Sequence, residues 1–106
     1  MKNLSYKIFF DAISNRTRLS IIEQLKKGPR NVSNISKALN FEQSRVSHNL
    51  KCLYDCGFVT ISPNGKERIY SLNKDTVLPL LNLIDNHIEK YLDHLIKCRI
   101  IRPAKK

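Results

Sequence analysis

The chain has 106 residues, with 19 Lys+Arg against 9 Asp+Glu for a formal charge of +10, and 42% of its residues are hydrophobic. That apolar content excludes wholesale disorder and suffices for one domain, 1–106, whose core is small enough to make oligomerisation an expectation. No apolar run approaches the ~18 residues needed to cross a bilayer, the first residues lack the long apolar stretch of a signal peptide, and three cysteines is an odd number for a disulfide-stapled domain. These features predict a cytoplasmic chain with no membrane partner, and the excess of positive charge predicts a polyanionic one, nucleic acid before membrane.

Tyr6 to Ile13 predicts a first helix with Ile8, Phe9, Ala12 and Ile13 on its apolar face. Ser14 or Asn15 is placed to cap a second helix carrying Leu19, Ile22 and Leu25, which stops at Gly28-Pro29. Asn31 or Ser33 opens a short third helix with Val32, Ile35 and Leu39 facing in, and Asn40 offers the turn. A fourth helix from about Gln43 sets Val46, Leu50 and Leu53 on one side and ends at Gly57. The period then changes. Residues 58–62 and 68–72 are rich in β-formers, with Pro63-Asn64-Gly65 between them as a hairpin tip.

Helix returns from Asp75, with Pro79 tolerable near its start. There Val77, Leu81, Ile84, Ile88, Tyr91, Leu95 and Cys98 fall at alternating +4 and +3 steps, a heptad seam. A seam of that length suits pairing with a second copy of the chain; the alternative is packing within its own domain. The end, 97–106, carries Lys97, Arg99, Arg102, Lys105 and Lys106 with no acid. It is expected to fray, as a solvated terminus or one that touches phosphate.

Helix, short turn, helix, then hairpin is the order of a winged helix-turn-helix: mainly α with a small β-hairpin. Such a fold sets a recognition helix in the DNA major groove. The polar face of the fourth helix offers Gln43, Ser44, Arg45, Ser47, His48, Asn49 and Lys51, and the hairpin tip adds Lys66 and Arg68. Gln and Asn can read adenine, Arg can read guanine, and Ser can serve either role or hold phosphate. The partner so predicted is a double-stranded DNA operator. A merely solvated face, or a winged helix used for protein contact, is the alternative. An enzyme is not expected: His48, His87 and His94 lack a nearby nucleophile pattern, there is no Gly-rich phosphate loop, and the acids are scattered.

Three stretches resemble the ArsR/SmtB regulators: Phe10-Asp11-Ala12-Ile13-Ser14-Asn15-Arg16-Thr17-Arg18-Leu19-Ser20-Ile21-Ile22 at the opening, Val46-Ser47-His48-Asn49-Leu50-Lys51 through Cys56-Gly57-Phe58-Val59, and Gly65-Lys66-Glu67-Arg68-Ile69-Tyr70-Ser71-Leu72. The resemblance covers roughly residues 6–100. It implies a repressor that is a homodimer through its first and last helices and leaves its operator when an effector binds. Two positions depart from the pattern: Glu42 stands where Ser or Thr is usual, and Asn49 where His is frequent. Glu42 is expected to cap the recognition helix only weakly.

Effector sites in this family differ in location. Residues 32–36 hold no cysteine, so the arsenic-type site is not expected. Asp85-Asn86-His87 matches the first half of the zinc-type site, but eleven residues on stands Cys98 and the fourth position is Ile101. Cys52 and Cys56 are i and i+4 on the recognition helix, so both thiols project from one face and can chelate one ion. The segment 50–57 resembles the cadmium/lead-sensing branch, which implies a third cysteine from the C-terminal region; Cys98 lies there, with His94 one turn earlier as a fourth ligand. Three thiolates favour Cd(II) or Pb(II) and also bind Zn(II). The alternatives are cysteines acting as small core hydrophobes, a thiol-redox sensor, or a regulator with no effector.

Overall fold

A computed structural model describes residues 2–104, with side chains from Asn3 to Cys98. Its elements are helices α1 (Lys2–Ile13), α2 (Arg16–Lys26), α3 (Val32–Leu39) and α4 (Gln43–Asp55), strands β1 (Val59–Asn64) and β2 (Glu67–Leu72), and helix α5 (Val77–Ala104). The chain divides into two units, 1–73 and 74–106.

In the first unit the boundaries follow local chemistry. Asn15 caps α2, its side chain accepting from the Arg18 N–H, and Asn31 caps α3 by accepting from the Asn34 N–H. Each satisfies one of the orphan donors of a helix start. Asn40 ends α3 in the left-handed region at φ 56°, a conformation Asn tolerates better than most residues. Glu42 starts α4 without the expected side-chain cap; its longer side chain lacks the reach geometry of Ser or Asp. The turn is held by the Ser36 hydroxyl donating to the Phe41 carbonyl and by the Phe41 N–H returning to the Ser36 carbonyl.

The core lies where α2, α3 and α4 meet the hairpin. Ile21, Ile22 and Leu25 of α2, Ile35 of α3, and Val46, Leu50 and Leu53 of α4 are buried with Phe58, Val59, Tyr70 and Leu72. A fully buried Leu or Ile stabilises by about 1.5–3 kcal/mol. Two predicted core positions face outward instead: Leu19 is 48% exposed and Ile8 61%, while Ile21, one helical step from the expected stripe, is fully enclosed. The inward side of α1 is Phe9, Ala12 and Ile13, with the Phe9 ring edge-on to Phe58 at 5.2 Å between centroids.

β1 and β2 pair antiparallel in the register Val59↔Leu72 to Asn64↔Glu67. Pro63 and Asn64 therefore belong to β1, and the turn is Gly65-Lys66, with Gly65 at φ 67°. Arg30, in the segment between α2 and α3, exchanges both backbone hydrogen bonds with Tyr70 at 3.0 and 2.8 Å. The hairpin thus gains a one-residue third strand.

In the second unit, α5 begins with buried Val77 and half-buried Leu81 and Ile84, while Ile88, Tyr91 and Leu95 of the seam are each about 40% exposed. Leu83, Leu92 and Ile96 are exposed as well, so the apolar surface is wider than the heptad. The seam is not one straight helix: Tyr91 leaves helical geometry at φ −121°, ψ 16°, where two helical pieces join. No Pro or Gly lies between Leu80 and Arg102 to mark that break. The backbone stays helical to Ala104, and the side chains of Arg99, Arg102, Lys105 and Lys106 fall outside the described residues.

Candidate nucleic-acid interface

One wall of α4 is apolar and buried, so its polar residues must project from the rest of its circumference. They do so in two directions. Ser44, Ser47, His48 and Lys51 face the hairpin across a cleft of about 480 Å³ that Tyr54, Asp55, Ile61, Arg68 and Tyr70 complete. Gln43 and Ser47 line an adjoining cleft of about 360 Å³ with Lys66, Glu67, Arg68 and, from the start of α3, Asn31 and Ser33. Seven of the nine predicted contact residues therefore border one continuous cleft between α4 and the hairpin.

The other two, Arg45 and Asn49, turn towards α2. The Arg45 guanidinium donates from Nε and Nη2 to the Thr17 hydroxyl at 3.1 and 2.6 Å, and its Cζ sits 3.8 Å above the Phe41 ring. Asn49 accepts from Arg18 Nε at 3.2 Å and donates from Nδ2 to the Arg45 carbonyl at 2.9 Å, while Arg18 Nη1 donates to the Ala12 carbonyl at 2.7 Å. Lys51 pairs with Asp55 at 3.0 Å, with both side chains more than half exposed. Exposed pairs of this kind are worth less than about 1 kcal/mol, so this one holds Lys51 only weakly.

Sequence reasoning missed Thr17 and Arg18, whose partners lie 28 and 31 residues away. It also missed the cleft-lining roles of Asn31 and Ser33. Asn31 was legible as a cap, but its second bond, Nδ2 to Glu67 Oε2 at 2.9 Å, needs the wing to be in place.

Of the three thiols, Cys52 is half-buried and Cys56 and Cys98 are exposed. Cys52 and Cys56 are one turn apart, with the Cys56 N–H donating to the Cys52 carbonyl at 3.1 Å. Among the described residues, no three His, Cys, Asp or Glu side chains are gathered where one metal ion could hold them. Of the predicted set, Cys52 and Cys56 lie in the first unit and His94 and Cys98 in the second. On α5, His87 stacks at a tilt on Tyr91 with centroids 4.8 Å apart, and His94 meets the same ring edge-on at 6.0 Å.

The element order, with the hairpin following α4 and a cleft between them, defines a winged helix-turn-helix domain. The model of the bacterial regulatory protein, arsR family, matches residues 15–60. NmtR of Mycobacterium tuberculosis, an HTH-type transcriptional regulator, is 37% identical over 78 residues, covering 74% of this chain and 65% of its own length. A probable mercury resistance operon repressor of Streptomyces lividans is 35% identical over 75 residues, covering 71% and 60%. The transcriptional repressor SdpR of Bacillus subtilis is 31% identical over 81 residues, covering 76% and 90%. The homodimeric winged helix-turn-helix domain of Mb0332 from Mycobacterium bovis superposes with a TM-score of 0.73 at 28% identity, covering 79% of this chain and 78% of that one. The chain belongs to the ArsR family of bacterial regulatory proteins. It spans less than two thirds of the length of NmtR and of the mercury resistance repressor.

Proposed function

We propose that the protein is a homodimeric DNA-binding repressor, reading a double-stranded operator with Gln43, Ser44, Ser47 and His48 while Lys51, Lys66 and Arg68 hold phosphates. The observation that carries this reading is the cleft itself, lined by short polar side chains on an exposed helix face and by the cations of the wing. Polar side chains supply base-edge contacts, and flanking cations supply sequence-independent affinity. The names of SdpR and of the mercury resistance repressor support repression as the regulatory sense. The test is duplex binding over a range of salt. A DNA binder loses affinity with a steep log–log slope, whereas a protein-contact module shows almost none.

The Cys52–Cys56 pair favours a thiol-based effector for the same regulator. Two thiols one turn apart, Cys52 on α4 and Cys56 at its C-cap, provide half of a soft-metal site, and Cys98, with His94, provides donors on α5 for Cd(II), Pb(II) or Zn(II). A bond between α4 and α5, within a protomer or across the dimer, would couple metal and operator affinity by the same energy in both directions. Release of operator by a thiol oxidant instead would assign a redox sensor, and release by neither an effector-independent one.

A further inference from the structure

We infer that Arg45 and Asn49 are positioning residues that fix the attitude of α4, and that Thr17 and Arg18 of α2 are their anchors. This deepens the DNA-binding reading above and rests on it. Arg45 and Asn49 carry the two side-chain types best suited to bidentate base contacts on α4, yet both bond to α2, although Arg45 is exposed and Asn49 only half-buried. Arg45 places two of its donors on one hydroxyl and its face on Phe41. Asn49 accepts from Arg18 at its carbonyl oxygen and donates from its amide to the Arg45 carbonyl. The two bonds form a ladder between α2 and α4, one rung per turn of α4.

The ladder has two consequences. Base reading narrows to Gln43, Ser44, Ser47 and His48, and a guanidinium that would otherwise meet phosphate is withheld from the DNA. Withholding Arg45 keeps sequence-independent affinity low, and so widens the ratio of operator to random binding.

Thr17→Val deletes the buried acceptor at nearly constant volume, whereas Thr17→Ser keeps it. The released Arg45 is then available to a phosphate, so Thr17→Val steepens the salt slope on random duplex by about 0.9, one phosphate contact. Thr17→Ser retains the wild-type slope. Arg45→Met keeps a long unbranched side chain beside Phe41 and removes the charge; it leaves the random-duplex slope at the wild-type value and lowers operator affinity without relaxing any one base position. A change in stability alone would move none of these slopes. Should Thr17→Val not fold, Arg45→Met decides. A slope shallower by about 0.9, or a preference lost at a single base pair, makes Arg45 a DNA contact and overturns the inference. A wild-type slope near zero overturns the DNA-binding reading and the inference with it, whereas a steep wild-type slope with a shallow Arg45→Met slope overturns the inference alone.

Discussion

Asn31 and Glu67 are joined by a 2.9 Å hydrogen bond from the Asn31 amide to the Glu67 carboxylate, while the Asn31 carbonyl oxygen caps α3. One side chain thus holds a helix start and the edge of the wing. Asn31→Asp keeps the capping oxygen and sets two carboxylates together; Asn31→Ala removes both contacts. Unfolding in urea should show Asn31→Ala destabilised by about 0.5–2 kcal/mol and Asn31→Asp nearer to wild type. Hydrogen exchange of the β2 amides should quicken in both variants.

The wing makes the second prediction. If Lys66 and Arg68 each neutralise a phosphate, Lys66→Ala/Arg68→Ala makes the salt slope shallower by about 1.8 and weakens all sequences alike. Gln43→Ala and His48→Ala should instead relax preference at particular base pairs while leaving that slope in place. A selection assay against randomised duplex separates the two behaviours.

The third concerns association. Ile88 and Leu95 are each about 40% exposed on α5, and Leu4 and Ile8 are exposed on α1. Ile88→Glu or Ile8→Glu should shift sedimentation from dimer towards monomer and reduce operator affinity. Dimeric readers bind two half-sites, so losing one protomer costs more than half of the contacts' benefit.

The thiols make the fourth. Cd(II) added to reduced protein should produce thiolate-to-metal charge-transfer absorption, lost in Cys56→Ser and diminished in Cys98→Ser. It should release operator from wild type and not from Cys52→Ser. Affinity should fall as the solution is acidified, because binding displaces thiol protons.

Core truncation is the fifth. Leu50 is fully enclosed at the centre of the α4 wall, and Leu50→Ala should cost about 2–5 kcal/mol, read from urea midpoints at fixed protein concentration.

Much of the fold was legible in the sequence. Gly28-Pro29, Asn40 and Gly57 mark boundaries because each breaks helical geometry locally, and Val46, Leu50 and Leu53 identify the buried wall of α4 from spacing alone. Leu19 and Ile21 were not separable in that way: both suit a helical stripe, and only packing decides which faces the core. Arg45 and Asn49 were legible as polar and not as engaged, since their partners lie on another helix. The break at Tyr91 has no local signal in composition, and the regular heptad spacing runs straight through it.

The backbone exchange between Arg30 and Tyr70 has a kinetic and entropic consequence. A two-stranded ribbon by itself is marginally ordered in water, and one that must settle on contact loses conformational freedom at the moment of binding. Tied to the segment between α2 and α3, this ribbon meets its target already in shape. The wing is thereby braced on the helical core, and less of its ordering is left to the moment of contact.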